Sequence, residues 1–167
     1  KEFLPFTSNK LDDERVNLFF EDGIKFIKGK ENLYDLIIID STDPIGPGEG
    51  LFTTEFYKDC FSALTDKGIL INQCESPYYN NNAREMKRSF NKLKDIFNIC
   101  EAYQYNMPTY ASGHWMFCFA SKELHPLKDF NPNYWNSLDL VTKYYNTDLH
   151  IGAFMLPNYV KNLLQEK

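Results

Sequence analysis

The sequence predicts an α/β fold built on a doubly wound, largely parallel sheet. Residues 36–39 form a continuous run of Leu and Ile, which is typical of a strand that is covered on both faces. Strand and helix patterns alternate along most of the chain, and parallel strands need such crossover helices. Only residues 106–114 separate the last two strand patterns, which leaves no room for a crossover helix. We therefore expect those two strands to form an antiparallel pair.

The predicted elements follow one another in a regular order. Runs of apolar and β-branched residues predict strands at residues 16–20, 35–39, 68–73, 99–105 and 115–121. Apolar residues at helical spacing predict helices between them, at residues 23–28, 53–64 and 83–97. Beyond a proline-punctuated stretch, short helices are predicted at residues 137–141, 148–154 and 157–165. No linker or internal repeat divides the chain, so we expect residues 1–167 to be part of one domain.

Two carboxylates stand where the strand at residues 35–39 emerges from the predicted sheet. Asp40 follows the strand directly, Asp43 comes three residues later, and Pro44 prevents a helical continuation. Ligands of such sheets bind beyond the carboxyl ends of the strands, which favours a functional site. Asp-Pro pairs are also common in turns, so the two residues could instead only cap and turn the chain. The local sequence leaves both interpretations open.

Composition and charge narrow the class of partner. The formal net charge is −5 and no run of Lys or Arg occurs, which argues against a nucleic-acid partner and suits a cationic substrate. The cysteines show no C-x-x-C spacing and the histidines no metal-ligand spacing, so no metal site is expected. The sequence shows no signal peptide and no apolar run of transmembrane length. We therefore expect a cytoplasmic protein with no membrane partner.

Several blocks of the sequence resemble one family. The segment DSTDPIGP at residues 40–47, followed by EGLF at residues 49–52, resembles the signature loop of the spermidine synthases, the polyamine aminopropyltransferases. Further blocks similar to that family follow in the same order, at residues 15–23, 73–76, 108–113 and 144–157. Together they span nearly the whole chain. The resemblance implies a methyltransferase-like Rossmann fold with a C-terminal antiparallel strand pair.

The resemblance also implies a reaction. Spermidine synthases transfer an aminopropyl group from decarboxylated S-adenosylmethionine to putrescine, giving spermidine and methylthioadenosine. The sulfonium compound is a co-substrate, so no separate cofactor is expected. A protonated amine has no lone pair with which to attack, so the reaction needs a general base and groups that hold the diamine in line. Two alternatives stay open: a methyltransferase or related aminopropyltransferase with another acceptor, and a non-catalytic fragment or pseudoenzyme.

The resemblance assigns amine-side roles to five residues. Asp40 matches the catalytic aspartate, which would attract the ammonium and remove a proton, and Asp43 matches a second aspartate that positions the amine. Tyr110 matches a tyrosine that hydrogen-bonds the attacking amine. Glu75 could meet the distal ammonium or a loop amide, although cysteine precedes it where the family commonly has glycine. Trp115 could pack against the apolar methylenes of the diamine, although a tryptophan in a strand is more often part of the core.

The resemblance also implies nucleoside-binding roles for four residues. Asp22 and Gly23 match the adenine contact of the family, in which a carboxylate accepts from the exocyclic amine and a nearby backbone amide meets the ring. Pro47 and Leu51 match apolar contacts to the adenine. The glycine-rich run at residues 46–50 does not have the spacing of a dinucleotide-binding loop, so it is not expected to replace one.

The start of the chain departs from the family pattern. Spermidine synthases carry an N-terminal β domain and two core strands for which no counterpart is found in this sequence. In the methyltransferase-like order, those strands lie between the segments at residues 16–20 and 35–39. We therefore expect a fold that is incomplete at its N-terminus, and a chain that is inactive and aggregated or partly unfolded when isolated. Family members are commonly dimers or tetramers, so the full-length protein is expected to be a homo-oligomer.

Overall fold

The computed structural model describes residues 3–42 and 46–165 and contains one four-stranded sheet with the strand order β1-β2-β4-β3. The strands are β1 (Tyr34–Ile39), β2 (Leu64–Cys74), β3 (Ile99–Asn106) and β4 (His114–Ser121). β1 is parallel to β2, and β4 is antiparallel to both of its neighbours. The β3–β4 register runs from Ile99 opposite Ser121 to Asn106 opposite His114, so the predicted antiparallel pair is confirmed.

Helices connect these strands and form the C-terminal region. The α-helices are α1 (Pro5–Ser8), α2 (Gly23–Ile27), α3 (Thr54–Ala63), α4 (Asn80–Ile96), α5 (Pro132–Ser137), α6 (Thr147–Ala153) and α7 (Asn158–Gln165). A 3-10 helix at Gly46–Phe52 precedes α3. Side chains mark several helix starts: Thr53 Oγ1 accepts from the Phe56 N–H before α3, and Asn146 Oδ1 accepts from the Leu149 N–H before α6.

The main core lies between one face of the sheet and helices α3 and α4. Alternate residues of β2 and β4 point to this face, and Leu70 and Met116 are fully buried there together with Leu93 of α4. Cys60 of α3 is a free thiol in the same cluster. Burial raises the pKa of the Cys60 thiol to about 12, with a smaller contribution from Asp59, so the side chain packs as a neutral group.

The opposite face of the sheet is aromatic and only partly covered. Tyr103 of β3 stacks on Phe117 of β4 with a ring-centroid distance of 5.4 Å. The ring centroid of Phe154, the residue that follows α6, lies 5.1 Å from that of Tyr103. On β1, by contrast, Leu36 is 51% exposed and Ile38 is 62% exposed on this face. The prediction that β1 is covered on both faces is therefore wrong for the described residues, because α6 lies over β3 and reaches β1 only at the rim of a cavity.

Two predicted elements differ from the structure. Residues 16–20 form no strand, and Phe20 is 94% exposed, because no strand of the described chain pairs with their backbone. A helix was predicted at residues 137–141, but α5 ends at Ser137. The helix starts early because Asn131 Oδ1 accepts from the Tyr134 N–H and Pro132 occupies the first turn. It cannot continue because Asp139 has a φ of 49°.

Candidate active site

The direction of the strands brings several chain segments to one edge of the sheet. β1 and β2 are parallel, and β3 runs in the same direction as β2 because both are antiparallel to β4. The carboxyl ends of β1, β2 and β3 therefore lie at the same edge as the start of β4. Asp40, residues 73–76 and the 106–114 loop all belong to this edge, which is where parallel sheets bind ligands.

Tyr105 is the point at which these segments meet. Gln73 Nε2 of β2 donates to the Tyr105 hydroxyl across 3.4 Å. Burial raises the pKa of Tyr105, the hydrogen bond from Gln73 lowers it, and the nearby Tyr110 and Asp40 raise it further. Asp40 directly follows β1 and Tyr110 lies in the loop before β4, so both residues stand at this edge of the sheet. Asp40 itself is exposed and accessible to a substrate.

Gln73 and Tyr105 were not among the predicted site residues. Gln73 continues the face of β2 that carries Ile69 and Ile71, so a polar residue replaces an apolar one where that face reaches the edge. This break in the strand pattern was the signal that the sequence offered. The partner could not be read from the sequence, because Tyr105 lies 32 positions further along the chain.

Trp115 supports the loop that carries Tyr110. The two rings have a centroid distance of 4.7 Å, and Trp115 Nε1 donates to the Ala111 carbonyl oxygen across 3.4 Å. Tyr110 is 45% exposed, so its ring keeps an open side. Trp115 is half-buried and does not belong to the main core cluster. It forms a wall behind Tyr110 at the site edge.

Glu75 points toward α4. Its side chain is only 7% exposed, and Asn82 Nδ2 in the first turn of α4 donates to Glu75 Oε2 across 2.6 Å. The carboxylate thus joins the end of β2 to the helix that follows it. A contact of Glu75 with an amine stays a prediction.

A cavity of about 380 Å³ lies beside β1, between α2 and the 3-10 helix. Gly23, Leu51 and Asp40 line it, and a Cβ atom placed on Gly23 would be 3.7 Å from Leu51 Cδ2. Two predicted nucleoside contacts and the predicted base therefore share one cavity. Asp22 caps α2, because its Oδ1 accepts from the Ile24 N–H across 2.9 Å.

Two predicted site groups cannot be placed. Asp43 and the side chain of Pro47 lie outside the described residues.

The histidines are engaged in hydrogen bonds. His114 contacts the Tyr159 hydroxyl and Gln104 Oε1, and His150 contacts the Tyr145 hydroxyl and the Pro126 carbonyl oxygen. Within residues 3–42 and 46–165, no three His, Cys, Asp or Glu side chains cluster as metal ligands would. None of the helices described above is long and apolar enough to cross a membrane.

Comparison with known proteins settles the family. The model of the spermine/spermidine synthase domain matches residues 1–132. The chain belongs to the spermine/spermidine synthase family. A polyamine aminopropyltransferase of Alkaliphilus oremlandii is 60% identical over 167 residues, and one of Clostridium perfringens (strain SM101) is 62% identical over 165 residues. The matches cover 100% and 99% of this chain, and this chain spans 59% and 58% of the length of those relatives.

Solved structures agree with this membership. A spermidine synthase in complex with the transition state analogue AdoDATO superposes with a TM-score of 0.92 and 38% identity, over 98% of this chain and 55% of that chain. A spermidine synthase from Thermotoga maritima gives a TM-score of 0.90 at 37% identity, over 98% of this chain and 54% of that one. A human methyltransferase-like protein 13, with a TM-score of 0.50 and 16% identity over 92% of this chain and 61% of that one, shares the fold alone. The predicted family resemblance and methyltransferase-like α/β fold are confirmed.

Proposed function

We propose that this member of the spermine/spermidine synthase family transfers the aminopropyl group of decarboxylated S-adenosylmethionine to putrescine, giving spermidine and methylthioadenosine. The observation that carries the proposal is the position of Asp40. It lines the same cavity as Gly23 and Leu51, and it stands at the sheet edge at which β3, with Tyr105 near its end, also terminates. A carboxylate that lines a cavity of this size, at a sheet edge that also carries tyrosines, suits a reaction between a nucleoside and an amine.

In the proposed reaction, Asp40 acts on the amine rather than on the leaving group. The sulfonium is a good leaving group, whereas the ammonium must lose a proton before its nitrogen can attack. Asp40 accepts that proton, a new C–N bond forms at the propyl carbon, and the C–S bond breaks with its electron pair passing to sulfur. Asp43 is proposed to position the diamine beside Asp40, where a second negative charge attracts a dication.

The remaining amine contacts are proposed to come from the loop and from β2. Tyr110 is 45% exposed in the loop before β4, and its hydroxyl oxygen can accept from an ammonium N–H. Trp115, whose ring contacts that of Tyr110 at a tilted angle of 56°, offers an aromatic surface to the apolar methylenes. Glu75, at the first position beyond β2, is proposed to meet the distal ammonium or a loop amide, and in this structure its carboxylate accepts from Asn82.

The nucleoside is proposed to occupy the cavity beside β1. Gly23 lets the adenine approach the backbone closely, and Leu51 contributes an apolar wall. Asp22 is proposed to accept from the exocyclic amine through the oxygen that does not cap α2, and Pro47 to contact the ring.

The proposal applies to the protein expressed from its whole coding sequence, because the chain spans 59% of the length of a relative to which it is 60% identical. We propose that it is a cytoplasmic homo-oligomer, either a dimer or a tetramer, and that residues 1–167 alone are inactive. The resemblance to the family supports both statements.

An assay with labelled decarboxylated S-adenosylmethionine tests the proposal. Putrescine, spermidine and cadaverine are offered separately to the protein from the whole coding sequence and to residues 1–167 alone. We expect label transfer mainly to putrescine, and only with the former. Preferential transfer to spermidine or cadaverine would support a related aminopropyltransferase, and no transfer to any amine would contradict the proposed reaction.

A further inference from the structure

The loop that carries Tyr110 is closed by its own backbone hydrogen bonds. The Met107 N–H donates to the Gly113 carbonyl across 2.9 Å, and the Gly113 N–H donates to the Tyr110 carbonyl across 3.0 Å. To close in this way, Ser112 and Gly113 adopt φ values of 71° and 65°. Glycine adopts that region readily, whereas a serine does so at a cost. The surroundings of Ser112 must therefore hold it there.

A buried serine on the neighbouring strand end holds Ser112. Ser76, two residues beyond β2, is fully buried, and its hydroxyl oxygen lies 3.0 Å from that of Ser112. The Ser76 oxygen accepts from the Tyr78 N–H across 3.2 Å, so its own proton is available for Ser112. Ser112 in turn lies 3.3 Å from both the N–H and the carbonyl oxygen of His114, at the start of β4. A chain of hydrogen bonds thus runs from the end of β2 to the start of β4.

Tyr110 lies in the loop that this chain of hydrogen bonds anchors. Ser112 is two residues from Tyr110, and the Tyr110 ring contacts the ring of Trp115, which lies at the start of β4. The hydroxyl bridge from Ser76 therefore ties the loop to β2, which carries Gln73 at its end. We propose that Ser76 is a positioning residue that acts through Ser112 to hold Tyr110 over the site edge. The inference rests on the proposed function, in which Tyr110 contacts the attacking amine.

Kinetics of hydroxyl-deletion variants test the inference in the protein from the whole coding sequence. Ser76→Ala, Ser112→Ala and the double variant are compared with Ser121→Ala, which also removes a hydroxyl from a fully buried serine but at the opposite end of β4. We expect each single variant to lower kcat about tenfold with an unchanged KM for the nucleoside, because a small displacement of a reacting group is costly. The double variant should lose less than the product of the two single effects, since both single variants remove the Ser76–Ser112 bond. The control variant Ser121→Ala should have the kcat of the unmodified protein.

A second readout does not depend on activity. In a Trp135→Phe background, Trp115 is the remaining tryptophan of this chain, and its quenching by acrylamide reports the packing of Tyr110 on it. Where the whole coding sequence adds other tryptophans, these are also replaced by Phe. We expect faster quenching in Ser76→Ala and in Ser112→Ala and no change in Ser121→Ala. Ser112→Gly removes the hydroxyl but tolerates the φ of 71°, so it should resemble Ser112→Ala if the bond matters.

The outcomes separate the two proposals. Unchanged kcat and unchanged quenching in Ser76→Ala would overturn the inference, even if the variant were less stable. Wild-type behaviour of Ser112→Gly would also overturn it, because backbone strain and not the hydroxyl would then explain Ser112→Ala. If the unmodified protein transferred no aminopropyl group, the proposed function would fail, and quenching alone would decide whether Ser76 holds the loop.

Discussion

Replacing Gly23 with alanine should separate stability from nucleoside binding. Gly23 is the first residue of α2 and lines the cavity beside β1, and an added Cβ would meet only Leu51 Cδ2, at an ordinary 3.7 Å. Gly→Ala in a helix stabilises by up to about 1 kcal/mol. For a chain of this size that corresponds to a rise in Tm of about 2–4 °C. The free protein should therefore tolerate the methyl group.

The bound nucleoside should not tolerate it. If the adenine approaches the Gly23 backbone, the methyl group occupies the space of the ligand, and overpacking of that kind costs about 1–3 kcal/mol. The Kd for methylthioadenosine should rise roughly 5- to 150-fold. Calorimetric titration of the protein from the whole coding sequence measures this Kd, and thermal unfolding measures Tm.

Gly152→Ala is the matched control for Gly23→Ala. Gly152 lies in α6, its added Cβ meets nothing within 4 Å, and it does not line the cavity beside β1. The Gly152→Ala variant should show a similar rise in Tm and an unchanged Kd for methylthioadenosine. A Gly23→Ala variant that unfolds at a higher temperature and binds methylthioadenosine normally would refute the assignment of Gly23 as a nucleoside contact.

Two further predictions concern stability. Leu93→Ala empties a fully buried position in α4 and should lower the free energy of unfolding by about 2–5 kcal/mol in urea titrations. Leu140→Ala, at an exposed position, should change the free energy of unfolding by less than about 0.5 kcal/mol. Equal losses in the two variants would contradict the described core. Burial lowers the pKa of His114 from its ordinary value of about 6.5. The neutral imidazole therefore contributes its full stability above about pH 6.5, and this stability is lost as the pH falls through the lowered pKa. Tm measured against pH should therefore decline more steeply below about pH 6.5 in the unmodified protein than in His114→Gln, and parallel curves would contradict this.

Local patterns predicted the elements that depend on local sequence. The apolar run in β1 and the helical spacing in α4 gave the strand and the helix within three residues at each end. The short 106–114 loop correctly predicted an antiparallel pair, because loop length limits the possible connections. The error at residues 137–141 was avoidable, since Asn131 followed by Pro132 is a helix-start signal.

Non-local contacts could not be read from the sequence. Whether residues 16–20 form a strand depends on a pairing partner elsewhere in the fold, and not on their own apolar pattern. The Gln73–Tyr105 and Ser76–Ser112 bonds join residues 32 and 36 positions apart, so only the sheet order brings them together. Asp40 and Tyr110 were found because the family resemblance named them, whereas the serine bridge beneath Tyr110 became visible only in the structure.

The rate of aminopropyl transfer in Asp40→Asn shows whether Asp40 is the general base. Asparagine keeps the shape of the side chain at the end of β1 but cannot accept the amine proton. Asp95→Asn, an exposed position on α4, serves as the matched control. With decarboxylated S-adenosylmethionine and putrescine, we expect kcat to fall by about a hundredfold or more in Asp40→Asn and to stay unchanged in Asp95→Asn. A wild-type kcat in a correctly folded Asp40→Asn protein would show that Asp40 is not the general base.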